Sequence, residues 1–231
     1  MRSPLRKVTY FAGLSGVSAI VLGCLISGLA YKGRTGEGYS PLNHFVSELG
    51  DAPYAAADWA FNGGLFLGGL LLTVFMLGLA AHMQGWFRYP FGLAGLVTGV
   101  AGTLVGLLPM SGDLDAHFAA AMTFFNVGLG TTVLFSLYVL LARQKEFSKW
   151  MALPGGITAF SFFSLLYLVE PLVPEGQRDK PIAEVLETLL WNRPDVWQTA
   201  IVEWVVVLAV LGWVVSVSLY LWRTQNGECL P

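Results

Sequence analysis

The sequence predicts an all-α integral membrane protein of six transmembrane helices, both termini inside, with a short amphipathic helix in the last outer loop. Three observations carry this. Hydrophobic residues make up 55% of the 231 and charged residues only 12%, with a mean hydropathy of +0.62, so the chain lacks the polar surface a soluble globule of its size needs. Six apolar runs are each long enough to cross a hydrocarbon core of roughly 30 Å, which takes ~20 helical residues. The Lys and Arg residues between these runs are also unevenly divided between the two sides.

The runs follow in order. Span one, about Tyr10 to Ala30, comes after Arg2, Arg6 and Lys7. Its apolar run continues past Cys24, beyond a signal-peptide core, so the segment is expected to be retained. Span two, about Asp58 to Ala81, carries Gly64-x-x-x-Gly68, and span three, about Tyr89 to Leu108, carries Gly95, Gly99, Gly102 and Gly106. Small residues at helical intervals let backbones approach, which predicts close packing of spans two and three or a homo-oligomer face built from them. Spans four to six run from about Phe118 to Leu141, Trp150 to Val169 and Val196 to Trp222. Backbone polar groups in lipid must be satisfied within the segment, so each run is read as a helix and residues 1–231 as one six-helix domain.

With the N-terminus inside, the inner segments carry eight Lys and Arg, including Arg88, Arg143, Lys145, Lys149 and Arg223, against five in the outer loops (Lys32, Arg34, Arg178, Lys180, Arg193). Eleven of the fifteen acidic residues fall in the outer loops, two (Glu146, Glu228) lie inside, and Asp58 and Glu203 lie within the runs. The long connections, about 31–57 and 170–195, are both outer. In the second, Ile182, Val185, Leu186, Leu189 and Leu190 recur at helical spacing with Glu184 and Glu187 off the stripe, a helix that lies on the membrane surface or covers the bundle. Trp86, Trp150 and Trp222 fall near the inner interface and Trp59, Trp191 and Trp197 near the outer one, as in aromatic belts. Cys24 and Cys229 lie toward opposite faces, which argues against a disulfide between them. A net charge of -2 offers no nucleic-acid footprint. The expected partners are the bilayer itself and, through the glycine-rich spans, a membrane protein or second copy.

Titratable chemistry gathers on the outer side. In "NHFVSELGDAP" a helical turn over 43–50 would place His44, Ser47 and Glu48 on one face. Asp58 and Asn62 sit four apart at the outer end of span two, and Asp113 and Asp115 precede His117 between spans three and four. Glu203 lies about two turns inside span six, where a carboxylate must face the bundle interior, find a partner or titrate to its neutral form. His44 and His117 with one carboxylate leave a zinc or iron site open, although no short-spaced ligand pair supports one. Ser47 with His117 as base leaves a hydrolase open, without a nucleophile-elbow pattern.

"SELG" after the first span, "WAFNGGLFLGGLLLTVFMLGL" as the second and "GTLVGLLPMSGDLDAHFAAAMTFF" leading into the fourth resemble the prokaryotic six-span proteins grouped as domain of unknown function 998. Members carry a Ser-Asp/Glu-Leu-Gly element, an Asn in the next span, then an aromatic-Pro turn followed by His and a small-residue, Phe-containing helix. The matching positions are Ser47, Glu48, Gly50, Asn62, Pro109, His117, Ala120 and Phe124, while Leu108 stands where an aromatic is usual. The resemblance covers about residues 10–142. It implies the fold and singles out His117 and the Ser47-Glu48 element, and it implies no activity.

Two functions are expected from these readings, in a prokaryotic cytoplasmic membrane. The first is binding of a lipid or small amphiphile at the outer polar cluster, or an accessory role in a membrane complex. The alternative is an intramembrane hydrolase, metal-dependent or not, acting on a lipid head group.

Overall fold

The computed structural model describes residues 4–142, 146–169, 176 and 179–225. Arg2, Arg143, Lys145, Arg178, Glu228 and Cys229, used above for topology and cysteine chemistry, lie outside these residues. The helices are α1 (Pro4–Leu29), α2 (Asp58–His82), α3 (Arg88–Leu107), α4 (Leu114–Leu141), α5 (Ala152–Phe163), α6 (Ile182–Trp191) and α7 (Gln198–Gln225). A 3-10 turn at Lys149–Met151 and a π-helical turn at Ser164–Leu168 lengthen α5 at its two ends. With those turns counted, six helices are long and apolar enough to cross a membrane.

Local chemistry sets the boundaries. Pro4 occupies the first turn of α1, where a missing N–H costs nothing. Gly85, at φ +72°, makes the turn from α2 to α3. Pro109 keeps the preceding residue out of helical conformation and ends α3. The Asp113 carboxylate accepts the Ala116 N–H at 3.0 Å and caps α4. That cap starts α4 four residues before the expected edge of span four, so His117 lies in the first helical turn and not in the loop.

The six long helices pack in chain order, each on the next, with α7 closing the ring against α1 and α5. The shared core holds Phe75, Phe91, Phe135 and Trp213, all essentially unexposed. The Trp213 ring meets Phe75 and Phe135 edge-on at 6.3 and 5.3 Å, so this mid-span tryptophan serves packing.

Glycines set how close the helices come. A Cβ at Gly64 would lie 2.7 Å from the Ala19 carbonyl oxygen, and one at Gly23 would lie 2.6 Å from that of Ala60, so the Gly64-x-x-x-Gly68 stripe seats α1. Span two therefore uses its glycine pair on span one, where sequence spacing had pointed to span three. The α3 side follows its own glycines: Gly99 rests on Thr73, and Gly106 on the backbone of Asn62 and Phe66. These glycines meet neighbouring helices of the same chain.

One end of the bundle is capped by the 31–57 segment and by α6. The other is tied by an Arg6–Glu146 ion pair and by Tyr220 Oη, which accepts the Ser148 N–H at 2.9 Å.

Candidate functional site

The segment after α1 turns back into the capped end as a 3-10 helix, Val46–Gly50, wedged among α1, α2 and α7. Successive residues of a 3-10 helix point about 120° apart, so Ser47, Glu48 and Leu49 of "SELG" point three different ways. Leu49, at 1% exposure, enters the core with Val46 and Phe61. Its carbonyl accepts the Ser27 hydroxyl of α1. The Gly50 carbonyl accepts Asn62 Nδ2 at 3.1 Å, and a Cβ at Gly50 would lie 2.2 Å from Asn62 Oδ1, so this glycine is required by close approach. Ser47 and Glu48 part company. The shared face expected for His44, Ser47 and Glu48 does not form, because the turn is 3-10 and His44 precedes it.

Glu48, 1% exposed, is held by an ion pair. Its two oxygens accept Arg193 Nη2 at 2.7 Å and Nη1 at 3.2 Å, and it also accepts the Phe45 N–H at 2.8 Å and the Tyr31 hydroxyl at 3.3 Å. Arg193 donates further to the carbonyls of Asn43 and Leu190. It thereby ties the end of α6 to the 43–48 segment. Burial works against the Arg193 charge, but the Glu48 carboxylate more than compensates and raises its pKa. Burial, reinforced by the Glu48 charge, pushes the Tyr31 hydroxyl up.

His44 belongs to this group. Its ring packs edge-on to Tyr31 at 5.2 Å and against Tyr39 at 5.2 Å, and Nε2 lies 3.6 Å from Glu37. Nδ1 is 2.8 Å from Asn43 Oδ1, 3.2 Å from the Ser40 carbonyl and 3.3 Å from the Ser40 N–H, so this nitrogen is held by the 40–43 turn. Burial lowers its pKa. For Glu37 burial is overcome by hydrogen bonds from Thr35, which bring it down to about 2. Trp204 of α7 donates to Tyr39 Oη at 2.9 Å, closing the aromatic group.

Ser47 lines a different space. A cavity of about 420 Å³ lies between α4, the π-helical end of α5, α6 and α7, and Ser47, His117 and Glu203 supply its titratable and hydroxyl groups along with Thr199. The rest of the lining is apolar, including Phe118, Phe125, Leu165 and Leu186. A second cavity of about 100 Å³ runs deeper, toward Leu72 and Leu211, and shares Ser47, His117 and Glu203 with the first. The three polar side chains therefore stand where the two cavities adjoin. Glu203 is fixed by accepting the Val46 N–H at 2.8 Å. His117 Nδ1 lies 2.6 Å from the Leu108 carbonyl, which only accepts, so Nδ1 donates and a neutral ring keeps its lone pair on Nε2. α6 seats Leu186 and Leu190 against Phe45 and Ala200 beside the larger cavity.

The remaining candidates stand apart. Asp113 is spent on the α4 cap, Asp115 is exposed, Asp58 is half-buried in the first turn of α2, and Asn62 holds the Gly50 carbonyl. His44 and His117 lie in different groups, and among the described residues no three His, Cys, Asp or Glu side chains come together where they could hold a metal ion. Sequence reasoning missed Arg193, counted only as a loop charge. Its partner lies 145 positions away, and no local pattern links the two.

Six long apolar helices and a mostly apolar cavity at one end define a multi-span membrane protein. The profile of one family, described as "Protein of unknown function (DUF998)", matches residues 18–220, and the chain belongs to that family. No curated protein and no solved structure matches it.

Proposed function

We propose that the protein binds a lipid or other small amphiphile in the cavity beneath α6, with the polar end at Ser47, His117 and Glu203 and the apolar portion along Phe118, Phe125, Leu165 and Leu186. The observation that carries this reading is the convergence of three polar side chains from separate elements on a space of about 420 Å³ whose remaining lining, Thr199 apart, is apolar. Ligand sites commonly have such a volume and such a lining, with few polar groups to fix orientation. In this reading α6 is an amphipathic lid, and residues 1–231 act as one domain. The Lys and Arg distribution supports placing both termini inside and the capped end outside, in the cytoplasmic membrane of a prokaryote.

The test is lipid identification by mass spectrometry on protein purified into nanodiscs. A lipid species retained above its bulk level in wild type and lost in Ala121→Phe, which fills the point where the cavities adjoin, is expected. Retention at bulk composition in both proteins overturns the reading.

A second reading is hydrolysis, favoured by one observation: the His117 tautomer leaves Nε2 as a base in the cavity that Ser47 lines. His117 would take the Ser47 proton as Oγ attacks an ester carbonyl of a lipid, and would return that proton to the alcohol released when the ester C–O bond breaks, leaving an acyl-serine for water to hydrolyse. The Leu108 carbonyl, and not a carboxylate, orients the imidazole. A fluorophosphonate probe that labels wild type but not Ser47→Ala supports this reading, and no labelling of wild type removes it.

A further inference from the structure

We infer that the cavity selects amphiphiles whose polar group donates hydrogen bonds and is neutral or cationic, a long-chain alcohol or amine, and that it rejects carboxylates and phosphates. The inference rests on the binding reading above and names its ligand class. It is drawn from the balance of donors and charges in the lining. Glu203 is the one acidic side chain in either cavity, and among the described lining residues there is no Lys or Arg. Arg193 is committed to Glu48 and to the carbonyls of Asn43 and Leu190.

An anion placed here would lose its hydration and find no countercharge, and Glu203 in its ionised form would repel it, a combination that buried sites avoid. The hydrogen-bonding count points the same way. His117 has already given its Nδ1–H to Leu108 and offers only a lone pair at Nε2. Glu203 has one oxygen occupied by the Val46 N–H and retains acceptor capacity. Ser47 Oγ can donate or accept. Two of the three polar groups thus ask the ligand for protons. An alcohol supplies one O–H donor and an ammonium supplies three, whereas a carboxylate or a phosphate monoester dianion supplies none. The polar group then sits at the place the two cavities share, with the chain in the larger one.

The experiment compares four twelve-carbon probes that differ only in the head group: dodecylamine, dodecanol, laurate and dodecyl phosphate. Each is titrated into wild-type protein in nanodiscs of zwitterionic lipid, and occupancy is read by native mass spectrometry. Dodecylamine and dodecanol are expected to bind about tenfold or more tightly than the two anions, and Glu203→Gln to weaken dodecylamine about tenfold while leaving dodecanol unchanged, the size of one charge-assisted hydrogen bond. Anions that bind as well as the amine and alcohol overturn the selectivity and leave amphiphile binding standing. Failure of all four probes, together with no effect of Ala121→Phe on bound lipid, overturns both. The wild-type comparison decides the selectivity even if the Glu203 variant does not fold.

Discussion

Replacing Arg193 by Met leaves the Glu48 carboxylate buried without its countercharge. At 1% exposure for the Glu48 side chain and 11% for that of Arg193, solvent does little to relieve the loss, and among the described residues the Phe45 N–H and the Tyr31 hydroxyl are left to donate to it. Removing one partner of a buried ion pair costs about 3–5 kcal/mol. For a chain of this length each kcal/mol is worth about 2–4 °C in Tm, so the midpoint in nanodiscs should fall by about 6–20 °C. The double variant Glu48→Gln/Arg193→Met should recover at least half of that fall. It leaves no unpaired charge at this position, and the amide oxygen can still accept the Phe45 N–H. Hydrogen exchange should locate the damage, with faster exchange in residues 43–50 and at the end of α6 while α2 and α3 are unchanged. A midpoint for Arg193→Met within about 2 °C of wild type, with exchange unaltered in both segments, would refute the argument that this pair holds the cap.

Two further outcomes follow from packing and topology. Gly64→Ala should destabilise the protein by about 1–3 kcal/mol, because its Cβ would meet the Ala19 carbonyl at 2.7 Å and force α1 away from α2; a Tm equal to wild type would show that this helix pair is not in close contact. A cysteine placed at Leu42, on the exposed surface of the capped end, should react with an impermeant maleimide added to intact cells, while one at Trp150 should react only after lysis. The reverse pattern would invert the orientation.

The family element "SELG" illustrates what the sequence did and did not disclose. Its residue types mark it as special within an apolar chain, yet the reading as one polar face was physically mistaken. A 3-10 turn sends Ser47 to the cavity, Glu48 to Arg193 and Leu49 to the core. Glu203 was legible as a candidate, because a carboxylate two turns into an apolar helix needs a reason, and the structure places it on the cavity lining. His117 was legible by type, but the bond to Leu108 that fixes its tautomer depends on the Pro109 turn bringing that carbonyl across to the first turn of α4. His44 and the two aspartates near His117 drew the same interest from the sequence, and in the fold His44 joins the Tyr31 and Tyr39 group, Asp113 caps α4 and Asp115 is exposed.

By itself the sequence determined the six helices, their approximate limits and the end of the bundle that gathers polar chemistry, because hydropathy over ~20 residues and loop charge are local quantities that the bilayer reads directly. Tertiary structure decided which helix each glycine faces, that Glu48 finds Arg193 across 145 positions, and that Ser47, His117 and Glu203 share one cavity. Those outcomes depend on the order of packing around the ring and on side-chain directions within a single short turn, and neither leaves a periodic mark in the chain.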